Sequence, residues 1–174
     1  FTDGVMHMIQ SGHVTGEKKT LHHRKVASSI IMGSKALYDF IDHNEMIEMY
    51  PVNHMNDPYV IGQNDRMVSI NSCLEIDLYG QVASEAIGLE QFSGTGGQVD
   101  YLRGAKRSRG GRSILAFTST AKGGTVSRIV PVLPPGATVT SGRNEVDYIA
   151  TEYGAVRLRG LTLRERALAL VSIA

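Results

Sequence analysis

Apolar positions along this chain come in short blocks whose spacing switches between helical and strand periods. Met6 and Ile9 stand about one helical turn apart after Asp3, a residue type that caps helix starts, and Gly12 stops the run. The polar segment Thr15 to Lys25 reads as a loop, and Val26 to Met32 is a β-branched run. Ser34 then begins a helix with Leu37, Phe40 and Ile41 on one face, and Met46 to Tyr50 forms a short strand that ends at Pro51. Asp57-Pro58 pairs an N-cap residue with proline at the first helical position, which predicts a helical turn over Tyr59 to Asn64.

The second half continues the rhythm. Strands are expected near Val68 to Asn71 and Leu74 to Leu78, followed by a turn at Gly80, a strand from Gln81, and a glycine loop that opens a helix through Val99 and Leu102. Ser113 to Thr118, Thr125 to Val130 and Val146 to Thr151 are β-rich, the last two separated by Pro131, Pro134 and Pro135. Thr162 and Glu165 make a capping box for a final helix over Thr162 to Ile173, with Leu163, Ala167, Leu170 and Val171 as its apolar stripe. Helices alternating with β-branched runs predict an α/β fold: a three-layer α/β/α sandwich around a mostly parallel sheet, in one domain spanning residues 1–174.

Composition narrows the functional classes. With 174 residues and 42% hydrophobic content, the chain can bury a core of ordinary size. A single cysteine, Cys73, rules out an internal disulfide and a multi-thiolate zinc site, so a reducing compartment, the cytoplasm, is expected. Cys73 itself falls in an apolar β-segment, where a buried thiol is favoured over a nucleophile. No apolar run is long enough to span a membrane, and a net charge of +1 offers no global field for nucleic acid. The six histidines show no HxxxH pattern, so no metal site is expected and His22-His23 reads as solvated. Arg103, Lys106, Arg107, Arg109 and Arg112 form a basic run without the interleaved aromatics of an RNA-binding surface; a solvated loop explains it, and coenzyme phosphates would suit it otherwise.

The candidate chemistry lies in loops. Gly94-Thr-Gly-Gly97 lacks both the Rossmann spacing and the lysine of a P-loop. Spacing alone favours a tight strand-to-helix turn, and the alternative is a set of bare amides that hold a phosphate or a thioester oxyanion. Lys122, in Ala121-Lys-Gly-Gly124, has glycines beside it that leave its ammonium free to reach a ligand phosphate or carbonyl, or to solvate the surface. Glu152 follows a strand directly, a position that favours chemistry, although Arg157 or Arg159 could pair with it structurally. Asn56 beside the Asp57-Pro58 cap can donate to a ligand carboxylate or serve the loop itself. The loops carrying Asn56, Gly94 to Gly97 and Glu152 are expected to converge at the carboxyl ends of the strands.

Several segments are also family text: Asp3-Gly4, Met55-Asn-Asp-Pro58, Ser69-Ile-Asn-Ser72, Asp77-Leu-Tyr-Gly-Gln81, Ser93-Gly-Thr-Gly-Gly-Gln98, Ser127-Arg-Ile-Val-Pro131 and Thr151-Glu-Tyr-Gly-Ala-Val-Arg-Leu-Arg-Gly160. Together they resemble the C-terminal half of the acetyl-CoA hydrolase/transferase family, and the glycine loop resembles its 4-hydroxybutyrate and butyryl branch. The resemblance implies an enzyme of two similar α/β domains, of which this chain matches the second. It implies transfer of coenzyme A between a short-chain acyl-CoA and acetate through a glutamyl-CoA thioester, with coenzyme A as substrate and no permanently bound cofactor. The nucleophilic glutamate is expected immediately upstream of Phe1. Gly97 would supply the oxyanion amide, with Gly94 and Gly96 beside it; Asn56 and Glu152 would position substrate, and Lys122 would contact coenzyme A. An acyl-CoA hydrolase, or a binding domain without turnover, are the alternatives, and the partners implied are acyl-CoA, a carboxylate, an N-terminal domain and a homo-oligomeric copy.

Overall fold

The computed structural model describes residues 1–174. In chain order the elements are α1 (Asp3–Gln10), β1 (Val26–Ser28), α2 (Lys35–Ile41), β2 (Ile47–Met49), α3 (Val52–Met55), α4 (Pro58–Gly62), β3 (Val68–Asn71), β4 (Glu75–Asp77), β5 (Val82–Ala83), β6 (Ala86–Ile87), β7 (Glu90–Gln91) and α5 (Gln98–Arg107). They are followed by β8 (Arg112–Ala116), β9 (Thr120–Ala121), a 3₁₀ turn (Lys122–Gly124), β10 (Val126–Ser127), β11 (Ile129–Val130), β12 (Tyr148–Thr151), β13 (Gly154–Arg157) and α6 (Leu163–Val171).

The largest sheet has the order β13-β12-β8-β3. Its first three strands in sequence, β3, β8 and β12, run parallel, while β13 returns antiparallel to β12 through the turn that carries Glu152. A second sheet, β11-β4-β5, pairs β4 parallel to β11 and antiparallel to β5. Three two-stranded ribbons complete a mixed α/β architecture. The core lies between the two larger sheets: Leu115 and Ile149, cross-strand neighbours on β8 and β12, pack with Ile76, Val82 and Ile129 of the second sheet and with Leu102 of α5 and Leu170 of α6. Burying side chains of this size is worth roughly 1.5–3 kcal/mol each, so these contacts fix how the two sheets sit.

Covering is uneven. On β3, Ser69 is buried while its neighbours Val68 and Ile70 are 49% and 68% exposed, so one face of this strand meets the core and the other stands bare in this chain, while the same face is half-buried on β8 and β12.

Local chemistry explains most helix ends. The Ser34 hydroxyl accepts from the Leu37 amide, the Asp57 carboxylate accepts from the Tyr59 amide with Pro58 at the first helical position, and Thr162 and Glu165 close the expected capping box. Gly12 sits past the end of α1 at φ +74.

Four expectations need correction. Asp3 does not cap α1; Thr2 holds the cap position without a side-chain bond, and the Asp3 carboxylate accepts from the amide and hydroxyl of Ser34, tying α1 to the start of α2. The run Val26 to Met32 is strand only to Ser28, because Ile30 and Met32 pair with Phe1. The stripe on α6 is not a buried face: Leu170 is buried, but Leu163 and Val171 are 48% and 58% exposed. His22 is not solvated. Its ring lies 3.2 Å, Nε2 to Nε2, from His54 and stacks near Tyr50, with Nδ1 3.4 Å from Glu48.

Candidate functional site

The site begins with two short helices. Asn56 ends α3 and immediately precedes the residue that caps α4, so its backbone is fixed from both sides. Helix α4 packs directly against α5 at two glycines. A β-carbon on Gly104 would overlap Ile61, and one on Gly62 would stand 2.9 Å from the Cβ of Arg107. This close approach brings the Asn56 side chain against Gly97, the cap position of α5. A β-carbon on Gly97 would overlap the Asn56 amide nitrogen.

The glycines of the loop therefore differ in purpose. Gly96 has φ +57, a conformation that glycine adopts without strain. Gly97 has φ −98, accessible to any residue, so it is glycine because of space. Gly94 and Gly96 would each meet nothing within 4 Å and face open volume.

Around this contact lies a cavity of about 280 Å³ lined by Phe1, Ile30, Asn56, Asn71, Gly97 and Tyr101, among others. A second cavity of about 680 Å³ shares Ile30, Val52, Asn56 and Gly97 and extends over Thr95 and Asp100. Phe1 is held there: its backbone nitrogen donates to the Ile30 carbonyl at 2.9 Å and its carbonyl accepts from the Met32 amide at 3.1 Å. The Gly97 amide and the Asn56 side chain make no hydrogen bond within the protein. Two free N–H donors beside the start of a ten-residue helix suit an oxygen that gains negative charge. At the far end of α5, Lys106 and Arg107 complement the helix dipole.

Glu152 stands at the same end of the main sheet but not in these cavities. Asn71 ends β3, Ser119 follows β8, and Glu152 follows β12; β8 separates the outer two, about 10 Å across at the usual strand spacing. Both Glu152 oxygens accept from Ser119, Oε2 from the amide at 2.8 Å and Oε1 from the hydroxyl at 2.9 Å. Hydrogen bonds from its own backbone amide and from Ser119 hold the Glu152 carboxyl below the usual carboxylate range, and the charge of Arg128 adds to this. Arg157 and Arg159, the structural partners open to Glu152 on sequence, face Asp147.

Lys122 is exposed in the 3₁₀ turn at φ +49 and lines neither cavity. Cys73 is buried, and burial pushes its thiol up to about 12, which suits a packing role. The basic run is largely engaged: Arg103 pairs with Glu145 at 3.2 Å, Arg109 with Asp65, and Lys106 reaches the Asn144 carbonyl. Sequence reasoning missed Asn71 and Ser119. Asn71 lies inside Ser69-Ile-Asn-Ser72 without a charge to mark it, and nothing local to Ser119 points to a residue 33 positions away.

Residues 33–174 match the acetyl-CoA hydrolase/transferase C-terminal domain. Over 173 residues the chain is 56% identical to the 4-hydroxybutyrate coenzyme A transferase of Clostridium kluyveri, covering 99% of this chain and 40% of that protein. It is 38% identical to the butyryl-CoA:acetate CoA-transferase of Anaerostipes caccae, covering 100% of this chain and 40% of that one. The crystal structure of a 4-hydroxybutyrate CoA-transferase from Porphyromonas gingivalis superposes with a TM-score of 0.86 at 61% identity, over all of this chain and 40% of the other. The chain thus spans about 40% of the length of the relatives it matches.

Proposed function

The chain belongs to the acetyl-CoA hydrolase/transferase C-terminal domain family, and from that premise we propose that it is the oxyanion and substrate-positioning half of a coenzyme A transferase. The whole protein would exchange coenzyme A between a short-chain acyl-CoA, 4-hydroxybutyryl- or butyryl-CoA, and acetate. The observation that carries the reading is the placement of Phe1 in one cavity with Asn56 and Gly97. A glutamate immediately before Phe1 would enter that cavity facing both free donors.

The chemistry then runs in balanced steps. The glutamate carboxylate attacks the acyl-CoA carbonyl; the carbon–sulfur bond breaks, leaving a mixed anhydride and coenzyme A thiolate. The thiolate attacks the glutamyl carbonyl, forms the glutamyl thioester and releases the first carboxylate. Acetate reverses both steps and leaves as acetyl-CoA. Each attack places a negative charge on a carbonyl oxygen, the charge that the Gly97 amide and the Asn56 side chain are free to meet. Glu152, ionised, would orient substrate through groups that donate to it, since a second carboxylate would be repelled. Lys122 and the open amides around Gly94 and Gly96 are proposed for the coenzyme's polar end.

Two features support a larger assembly. Ile30 and Val52, which line both cavities, remain 67% and 58% exposed, and the bare face of β3 carries Val68 and Ile70. Further chain covering them would make the main sheet the middle of a three-layer α/β/α sandwich. No helix is long and apolar enough to cross a membrane, and we place the reaction in the cytoplasm. The test is direct: the whole protein with butyryl-CoA and acetate should form acetyl-CoA. Free coenzyme A as the only product would make it a hydrolase, and no turnover would leave a binding domain.

A further inference from the structure

Arg128 reaches several acceptors beside the site, and the mechanism above leaves it unused. Its backbone amide donates to the Ser119 carbonyl at 2.8 Å. Its Nε donates to the Leu74 carbonyl at 2.9 Å, Nη1 to the Thr118 hydroxyl at 3.1 Å, and Nη2 to the Cys73 carbonyl. The guanidinium also lies 5.1 Å from the centre of the Phe117 ring. One side chain thus clamps the loop before β4 to the segment that follows β8, the segment whose Ser119 grips both oxygens of Glu152.

The surroundings show that this clamp is more than packing. Ser119 is fully buried, so its amide and hydroxyl have no water to fall back on and must keep the Glu152 carboxylate. Glu75 faces Arg128 from β4, is 7% exposed, and its Oε2 has no hydrogen-bond partner. The Arg128 charge therefore acts on two carboxylates, one buried and one at the sheet end, and favours the ionised form of each, for Glu75 only in part.

We propose that Arg128 is the positioning residue for Glu152: by holding the segment that carries Ser119 it fixes where the Glu152 carboxylate stands, and so sets how substrate is held. This rests on the role given to Glu152 above. Lysine would supply the charge but not the planar fork that reaches three acceptors, so the arrangement calls for arginine.

The test uses the whole protein with Arg128→Gln, Ser119→Ala, Glu152→Gln and the Arg128→Gln/Glu152→Gln pair. Glu152→Gln should raise the KM of one substrate about tenfold, the size of a lost charged hydrogen bond. Arg128→Gln should raise the same KM about as much with kcat little changed, and the pair should be no worse than the worse single change. The acid limb of kcat/KM should move to higher pH in Arg128→Gln, because Glu152 loses the charge that favours its ionised form. Wild-type KM in a folded Arg128→Gln protein, or multiplied losses in the pair, would overturn the proposal. If Arg128→Gln fails to fold, Ser119→Ala decides: it should raise the same KM roughly threefold or more, and an unchanged KM overturns the clamp. A crystal structure of Arg128→Gln or Ser119→Ala separates the two claims. Glu152 displaced supports the clamp even if Glu152→Gln is kinetically silent, which would sink only the role of Glu152; Glu152 unmoved in the folded Arg128→Gln protein overturns the clamp.

Discussion

The side-chain amide of Asn56 lies against the α-carbon of Gly97, so closely that no β-carbon fits between them. The contact joins the end of α3 to the start of α5, and the Gly97 amide and the Asn56 Nδ2, on two residues that line one cavity, have no hydrogen-bond partner in the chain. Gly97→Ala should keep the backbone conformation, since φ is −98, but push Asn56 away. Turnover by the whole protein should fall roughly 10²- to 10³-fold, the usual loss for an oxyanion donor, with the melting temperature little changed. Steady-state kinetics beside a thermal melt checks this; wild-type turnover would remove Gly97 from the site.

Asn56→Asp preserves shape and replaces a donor by a negative charge. It should be at least as damaging to kcat as Asn56→Ala, for which a loss of about 10²-fold is expected. A structural asparagine would show the reverse order, the smaller perturbation being the isosteric one.

Much of this region was legible in the sequence, and the reasons are local. Asp57-Pro58, Ser34 and the Thr162/Glu165 box are chemistry between residues two or three apart, and each forms as expected. Asp3 misled because its partner Ser34 is 31 residues away. The apolar stripe of α6 gives the period of a helix but not which part of it is covered, and only Leu170 of the four is buried. Asn56 and Gly97 each stand out in the sequence, yet their contact depends on Gly62 and Gly104 letting α4 and α5 approach, a relation no linear motif records. The same holds for His22, whose partners Glu48, Tyr50 and His54 come from other elements.

Gly104→Val tests that packing. The added carbons would meet Ile61 across the α4–α5 contact, at a cost of about 1–3 kcal/mol from overpacking. The melting temperature should drop, and activity should suffer as Asn56 shifts with α4. A melt identical to wild type would mean that the helices have room to part.

Glu75 gives a pH dependence with a definite sign. Burial raises its carboxyl above the ordinary value of 4.5, the Arg128 charge offsetting this only in part. A raised folded value means that folding favours the proton: this contribution is fully present below pH 4.5 and is lost as pH rises through the folded value. Glu75→Gln, which cannot ionise, should therefore gain stability relative to wild type as pH rises from 4 to 8. Chemical denaturation at several pH values reads this, and a stability difference that stays constant or falls would contradict it.

Cys73 should be silent to chemistry in the folded state. With burial pushing its thiol up to about 12, almost no thiolate exists at pH 8. Iodoacetamide should label it only after denaturation, and rapid labelling of the native protein would show that the core opens readily.

The central claim is that the residue preceding Phe1 carries the coenzyme beside Gly97 and Asn56. The decisive measurement is to incubate the whole protein with acyl-CoA alone and map the coenzyme A adduct by peptide mass spectrometry. A thioester on a glutamate immediately before Phe1, lost on adding acetate with release of acetyl-CoA, is the predicted result. An adduct on Glu17, Glu75, Glu152 or any other residue, or turnover with no enzyme-bound coenzyme A at all, would contradict it.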